Sequence, residues 1–327
     1  MNLGGVIRLN KTGTCIIFGA ILVLCLYTFT SNLTNNNAES AIKINLKQLL
    51  RVAIRAAQNG GSKVVAAKDN LKIKVKGLTK EGMEESVTTA DYLSHCAIMG
   101  TLKHAYPSLN VISEESKVEC DKNQVIDFSE FTDGILGDVE DELVDIKDIT
   151  VWMDPLDATH EYTEKLYNYV TTMVCVAVRG QPIIGVIHKP FAAEPQTSWA
   201  WVDKIKSSNL KYTESNHDNL KVIISMSHSG EIKKVLDKNM KNYELISAAG
   251  AGYKSLEVAS GNVDAYLHIT AIKKWDICAG NAIINAMGGK MTTKFNNLID
   301  YKDETNVKNE NGIVATITKH SLFIGKL

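Results

Sequence analysis

Residues 152–159 read Trp-Met-Asp-Pro-Leu-Asp-Ala-Thr, and this stretch decides both the fold class and the candidate site. Thr150–Met153 have the composition of a buried β-strand. Pro155 fixes φ and lacks a backbone donor, so we expect the chain to leave the sheet there. Asp154 and Asp157 would then point together from the carboxyl end of the strand, where they raise each other's pKa unless a cation neutralises them. Oxygen ligands favour Mg²⁺, although an Asx turn, with both side chains bonded to backbone N–H groups, would also explain the pair.

The length and the charge of the chain limit its class. The 327 residues, with a formal net charge of −1, suit one large two-part domain and give no sign of binding to a nucleic acid polymer. In the second half, predicted strands and helices alternate, which is typical of a layered α/β structure. These elements are strand Lys221–Ser225, helix Glu231–Lys238, helix Tyr253–Ala259, strand Asp264–His268, helix Asp276–Met287, and strands near Met291 and Ile313.

The N-terminus differs from the rest of the chain. Thr14–Phe29 is almost wholly apolar, and a helix this short would span a thin bilayer of the early secretory pathway. Arg8 and Lys11 precede it, and the positive-inside rule then places the body of the protein in the lumen. We therefore expect a single-pass type II signal anchor at residues 14–30, after a cytosolic tail at 1–13 and before a linker at 31–40.

A cleaved signal peptide is the alternative to this anchor. Leu26, Tyr27 and Phe29 are bulky residues at the place where a signal peptidase needs small ones, which favours the anchor.

The first half of the body alternates less regularly. Apolar residues recur at helical spacing from Ile42 to Ala57, and Asn59-Gly60-Gly61 is expected to end that helix. Residues 63–80 are lysine-rich and are expected to be irregular and solvated. Thr88 to Tyr106 reads as a second helix.

The stretch around the opening motif is predicted to be rich in strands. Leu109–Ile112 reads as a short strand, and the acidic residues 119–148 are expected to form a surface excursion. Thr171–Val178 and Ile183–His188 read as a β-hairpin, and Trp199–Val202 as a further strand.

Four cysteines lie in the body of the protein: Cys96, Cys120, Cys175 and Cys278. Their spacing matches no metal-binding pattern. A lumenal location permits disulfides, but spacing assigns no pairs, and buried free thiols are the alternative.

Acidic residues also stand at other predicted element boundaries. Asp91 lies at a helix start, Glu114 and Glu115 follow a strand, and Asp276 opens a helix. Each has a purely structural explanation, since Asp91 and Asp276 could cap helices and the glutamates could be a solvated pair. Several bound cations would explain why so many carboxylates stand beside bulky apolar residues.

Three motifs, in this order and separation, resemble the signatures of the Mg²⁺-dependent, lithium-sensitive inositol monophosphatase superfamily. They are Glu114-Glu115, residues 154–159 and residues 275–280. Residues 87–91, 225–230 and 250–254 are similar to the 3′(2′),5′-bisphosphate nucleotidase branch. The resemblance extends from about Ala41 to the end of the chain. It implies the sugar-phosphatase fold, an αβαβα sandwich with an N-terminal α+β part at 41–205 and a C-terminal α/β part at 206–327.

The resemblance also implies a metal-dependent phosphatase with two or three Mg²⁺ ions. The ligands of two ions would be Glu114, Asp154, the backbone carbonyl of Leu156, Asp157 and Asp276. A third ion would lie near Glu114 and Asp91. Asp91 and Thr159 would orient and deprotonate the attacking water, since a nearby carboxylate can accept its proton directly or through the hydroxyl.

The branch implies a nucleotide substrate. Ser225, His228, Gly250 and Lys254 would contact it, with backbone N–H groups meeting an anion at a helix start and Lys254 adding a charge. The expected reaction is hydrolysis of the 3′-phosphate of adenosine 3′,5′-bisphosphate to AMP and phosphate in the Golgi lumen, which would clear the by-product of sulfotransferases. An inositol or sugar phosphate monoesterase and a nucleotide-binding pseudoenzyme are the alternatives. Family analogy also implies a homodimer.

Overall fold

The computed structural model describes residues 19–28, 42–78, 84–115, 119–120, 136–214, 219–226, 231–302 and 304–327. The chain divides into two units, Met1–Lys43 and Ile44–Leu327. Helix α1, at residues 19–28, belongs to the first unit. Among the described residues, none of the helices has the length and apolar character that a membrane crossing requires. The predicted anchor at 14–30 lies partly outside those residues and stays a prediction.

The described elements that follow α1 first form a six-stranded sheet, two separate two-stranded sheets and the helices around them. In chain order they are β1 (Lys43–Asn45), α2 (Leu46–Ala67), β2 (Ile73–Leu78), β3 (Glu84–Thr88), α3 (Thr89–Ala105), β4 (Val111–Ser113), β5 (Leu143–Asp145), β6 (Ile149–Asp157), α4 (Thr159–Thr163), β7 (Thr171–Val178), β8 (Gln181–Lys189), β9 (Gln196–Trp201) and β10 (Ile205–Lys206).

The remaining elements form a five-stranded sheet, a further two-stranded sheet and the helices that pack against them. They are β11 (Leu220–Ser225), α5 (Ile232–Asn239), β12 (Tyr243–Ala248), α6 (Ala251–Ser260), β13 (Ala265–His268), β14 (Ile272–Lys273), α7 (Lys274–Ala286), β15 (Lys290–Thr292), β16 (Lys308–Asn309), β17 (Ile313–Thr316) and α8 (His320–Phe323).

Buried hydrophobic residues fill the layers on either side of the six-stranded sheet and of the five-stranded sheet. The larger sheet has the order β10-β9-β8-β7-β6-β4, and the smaller has the order β12-β11-β13-β17-β15. Helices α2 and α3 pack on one face of the larger sheet, α6 and α7 fill the space between the sheets, and α5 and α8 cover the outer face of the smaller sheet. The layers are therefore α, β, α, β and α, which confirms the predicted sandwich.

Helix α2 does not stop at Asn59-Gly60-Gly61, so that prediction is wrong. A Cβ at Gly60 would lie 2.7 Å from the Ile98 side chain of α3, and one at Gly61 would contact the ring of His188 in β8. The glycines let α2 approach both neighbours closely. This packing offsets the cost of about 1 kcal/mol that a glycine carries inside a helix.

Strand β6 continues through Pro155, although we expected the chain to leave the sheet there. The register against β7 shifts between Asp154 and Asp157, so Pro155 and Leu156 lie in a bulge. A bulge needs no ladder bond from the proline nitrogen, and the strand can resume after it.

The expectation for residues 63–80 is wrong, whereas the expectation for residues 119–148 falls only partly on described residues, of which 137–138 and 140–143 are exposed as expected. Within residues 63–80, the start belongs to α2, and β2 pairs antiparallel with β3. Ile73 and Val75 of β2 are exposed, so these apolar residues do not mark a buried face in the sequence. Of the acidic residues 119–148, 121–135 lie outside the described residues, whereas Leu136 and Val144 are buried in the core under α2 and α3.

Two disulfides resolve the cysteine alternatives. Cys96 of α3 is bonded to Cys120, and Cys175 of β7 is bonded to Cys278 of α7. The four body cysteines are therefore paired rather than free.

Candidate active site

The bulge in β6 places Asp154 and Asp157 at one end of the larger sheet. Both are buried, with 2% and 8% of their surface exposed. The Leu156 N–H donates to Asp154 Oδ1 at 3.1 Å, which is the hydrogen bond of an Asx turn. Asp154 thus makes the hydrogen bond that the Asx-turn explanation requires, and it also lies among other carboxylates.

Thr159 opens α4 directly after this bulge. Its hydroxyl contacts the Leu156 carbonyl oxygen at 3.0 Å and Asp91 Oδ1 at 3.0 Å. The Leu156 carbonyl, predicted as a metal ligand, keeps a second lone pair for another partner. Ala158 adopts the left-handed conformation with φ 68°, which favours glycine. The turn therefore brings Thr159 against Asp91 at some conformational cost.

Asp91 lies in the first turn of α3. Thr88 is the N-cap, and its N–H and hydroxyl both donate to Asp91 Oδ2, at 2.7 and 2.6 Å. Burial raises the pKa of Asp91 to about 6, partly countered by these hydrogen bonds and increased by the charge of Glu115. A carboxylate with this pKa can accept a proton near neutral pH.

Glu114 lies next to strand β6. Its N–H donates to the Met153 carbonyl at 3.4 Å, so it follows β4 beside the residue that precedes Asp154. Burial raises the pKa of Asp154 well above its usual value, and the charges of Glu114, Asp157 and Asp276 raise it further. These carboxylates therefore share one electrostatic site.

Asp276 lies in the first turn of α7 and joins the same cluster. Burial, then Glu114, then Asp157 raise its pKa well above the usual value, while Lys273 lowers it. The N-cap of α7 is Lys273, so Asp276 is not the cap that the structural explanation proposed.

Asp157 is held by the N-terminus of α6. Ala251 N–H donates to Oδ1 at 3.1 Å, and Gly252 N–H donates to Oδ2 at 2.8 Å. The Thr171 hydroxyl of β7 also donates to Oδ2, at 3.1 Å. Burial raises the pKa of Asp157, while Lys254 and these hydrogen bonds lower it. We expected backbone N–H groups at this helix start to bind an anion of the substrate. In the structure these N–H groups bind the carboxylate of Asp157.

The donor set suits a hard divalent cation. Buried carboxylates that raise one another's pKa are stabilised in ionised form when a cation is bound among them. Within the described ranges, however, there is no group of three or more His, Cys, Asp or Glu side chains arranged to hold a metal ion. The residues fit Mg²⁺ by type, burial and charge.

The predicted substrate contacts lie in the second half of the chain. Ser225 ends β11 and is buried, and Gly250 precedes α6 with φ 66°. Lys254 is 3% exposed, and its Nζ donates to the Gly250 carbonyl at 2.6 Å. Burial lowers its pKa to about 8. Lys254 therefore holds the loop before α6 in this structure, and His228 lies outside the described residues.

Several residues near the site were missed by the sequence reasoning. Thr171 bonds Asp157, Ser94 donates to the Pro155 carbonyl at 2.6 Å, and His95 lies 2.8 Å from Ser113 Oγ. Ser94 and His95 follow Asp91 by three and four positions, and that spacing on one helix face could have identified them. Thr171 has no such signal, because β7 meets β6 only in the fold.

The layered fold and the buried carboxylates beside an Asp–Thr pair define a phosphatase, an enzyme that hydrolyses phosphate esters. The chain belongs to the inositol monophosphatase family, whose model matches residues 45–325.

Relatives within this family carry two kinds of name. The "Putative inositol monophosphatase 3" of Drosophila melanogaster is 42% identical, over 99% of this chain and 95% of its own. The "Golgi-resident adenosine 3′,5′-bisphosphate 3′-phosphatase" of Homo sapiens is 41% identical, over 87% of this chain and 81% of its own. The crystal structure of CysQ from Bacteroides thetaiotaomicron, a bacterial family member, has a TM-score of 0.60 at 22% identity, over 83% of this chain and 98% of that one.

Proposed function

We propose that this phosphatase removes the 3′-phosphate of adenosine 3′,5′-bisphosphate, giving AMP and phosphate, with Mg²⁺ in the Golgi lumen. The observation that carries the hydrolytic part is the contact between Thr159 Oγ1 and Asp91 Oδ1, 3.0 Å, beside the buried carboxylates. A hydroxyl bonded to a carboxylate can orient a water and pass on its proton.

The chain's own residues can accept the proton of the attacking water and can hold the metal ions. A water held by the Thr159 hydroxyl attacks phosphorus and loses a proton to Asp91, while the bond from phosphorus to the 3′ oxygen breaks and that oxygen takes up a proton from solvent. Glu114, Asp154, the Leu156 carbonyl, Asp157 and Asp276 would hold the ions. Bound Mg²⁺ would supply positive charge that acidifies the water and stabilises the phosphate oxygens.

The choice of substrate is supported by names and motifs. Relatives at 41–42% identity are named for adenosine 3′,5′-bisphosphate, and residues 225–230 and 250–254 resemble the nucleotidase branch. The second candidate is an inositol phosphate, which the name of the Drosophila melanogaster relative favours.

The compartment is supported by the disulfides. Disulfides persist in oxidising compartments and are rare in the cytosol. Two of them, Cys96–Cys120 and Cys175–Cys278, fit a lumenal body, as does the Golgi address in the names of relatives. The single-pass type II anchor at residues 14–30 remains part of this proposal.

Phosphate release from a panel of substrates tests the proposal. The panel contains adenosine 3′,5′-bisphosphate, adenosine 2′,5′-bisphosphate, 3′-AMP and inositol monophosphates, each with Mg²⁺ and then with EDTA. We expect the 3′,5′-bisphosphate to have the highest kcat/KM, and chelation to abolish turnover. A higher kcat/KM on inositol phosphate would establish the second candidate instead. Nucleotide binding without turnover of any substrate would establish a pseudoenzyme.

A further inference from the structure

Helix α3 turns a buried polar face toward the candidate site. Ser94 and His95 lie one turn after Asp91, with 0% and 3% of their surface exposed. Ser94 Oγ donates to the Pro155 carbonyl in the bulge, and His95 Nδ1 lies 2.8 Å from Ser113 Oγ. Burying a polar side chain costs free energy unless it is hydrogen-bonded. One helix face therefore contacts two of the segments that carry acidic site residues, and it supplies Asp91 itself.

Ser113 connects this helix to the turn that carries Glu114 and Glu115. It is the last residue of β4 and is 2% exposed. The Glu115 N–H donates to Ser113 Oγ at 3.2 Å, while the Glu114 N–H donates to the Met153 carbonyl at 3.4 Å. The turn is thus fixed from one side by β6 and from the other by a hydroxyl that contacts His95.

We infer that His95 and Ser113 are positioning residues for divalent-ion binding: the imidazole holds the hydroxyl, and the hydroxyl holds the backbone turn that presents Glu114 to Asp154. The inference rests on the proposed function only for its requirement for Mg²⁺, and the identity of the substrate does not enter it. Burial lowers the pKa of His95 to about 4, so the ring is neutral near pH 7 and brings no charge into the carboxylate cluster.

The geometry explains why a ring nitrogen at this position matters. The neutral imidazole contacts Ser113 through Nδ1, the nitrogen nearer to the backbone. An asparagine amide can reach the position of Nδ1, whereas a glutamine amide reaches farther, toward the position of Nε2. Groups that orient metal ligands typically change metal affinity by 10-fold or more when they are lost.

Calorimetric titration of the full, substrate-free protein with MgCl₂ tests this inference. The variants are His95→Asn, His95→Gln and Ser113→Ala. We expect Ser113→Ala and His95→Gln to raise the Kd for Mg²⁺ on the order of 10-fold. His95→Asn should stay within about threefold of the wild type. Phosphate release should show the same pattern, with a raised Mg²⁺ half-saturation and a kcat that recovers at saturating Mg²⁺.

Thr101→Val is the matched control. Thr101 is a buried residue of the same helix, and its hydroxyl is bonded to Asn59 and to the Ala97 carbonyl rather than to the site. Its loss should lower Tm and leave the Kd for Mg²⁺ unchanged.

Three results would overturn the inference. The first is an unchanged Kd in both Ser113→Ala and His95→Gln, and the second is equal weakening by Asn and Gln at position 95. Should Ser113→Ala fail to fold, the comparison of Asn with Gln decides alone. The third is wild-type protein that takes up no Mg²⁺, which would also refute the metal requirement of the proposed function. A normal Kd with no hydrolysis would refute the proposed function only.

Discussion

Replacing Asp91 by asparagine should stabilise the metal-free protein near neutral pH while removing its activity. Asp91 is 1% exposed, and burial raises the pKa of its carboxyl from 3.8 to about 6. Its ionised form is therefore disfavoured in the folded state. Asparagine has the same shape, its Oδ1 can accept from Thr88, and its Nδ2 can donate to Thr159 Oγ1. The variant keeps the contacts and loses the buried charge.

The size of this effect follows from the linkage between protonation and folding. A carboxyl with a raised pKa in the folded state binds more protons there than in the unfolded state, so it destabilises the protein as pH rises from about 4 to about 6. The free energy of unfolding of the wild type should therefore be lower than that of the variant, by roughly 3 kcal/mol near pH 7.5 and by roughly 1 kcal/mol near pH 4.5.

Urea denaturation in EDTA at these two pH values measures the difference, and phosphate release with Mg²⁺ measures kcat. We expect kcat to fall by about 10²–10⁴, because the proton acceptor is lost. Asp203→Asn is the control, since Asp203 is exposed at φ 59°, a conformation that asparagine also tolerates. A stability difference that does not depend on pH, or a variant with unchanged turnover, would refute the reasoning.

Three further predictions follow from the same region of the fold. Thr159→Val should lower kcat by about 10²-fold or more with little change in KM, whereas Thr159→Ser should keep most of the activity, and steady-state kinetics compares the two. Ala158→Gly should raise the free energy of unfolding by about 0.5–1 kcal/mol, measured in urea, because glycine adopts the left-handed conformation without strain. Replacing both Cys175 and Cys278 by alanine should lower the free energy of unfolding by about 2–5 kcal/mol. An unchanged midpoint of urea denaturation would contradict a stabilising role for this disulfide.

Local sequence signals predicted the elements whose structure is decided locally. The hairpin of β7 and β8 was predicted from two apolar runs around Arg179-Gly180, and the structure confirms it. Thr88 at the start of α3 has the capping role that its residue type indicates. In both cases neighbouring residues supply the hydrogen bonds, so no distant partner has to be known.

Elements decided by distant contacts were predicted incorrectly or left open. Gly60 remains inside α2 because Ile98 packs against it, and Pro155 remains inside β6 because the bulge requires no backbone N–H donor at that position. The cysteine pairs could not be assigned, since sequence spacing carries no information about distance in the fold.

The candidate site shows the same division. The acidic residues were identified because family motifs mark them, and the structure brings Asp91 and Thr159 into contact. The partners of Asp157 were not foreseen, since its backbone donors lie on α6, 94 and 95 residues further along the chain. Roles for the remaining site residues stay predictions until they are tested by substitution.

The two crosslinks have a practical consequence for anyone who makes this protein. A bacterial cytosol keeps sulfur reduced, so material produced there would lack both covalent ties, including the one between the strand beside Asp154 and the helix that bears Asp276. Export to the periplasm, or secretion from a eukaryotic host, is therefore the appropriate route. Any comparison of batches should begin with a count of reactive thiols.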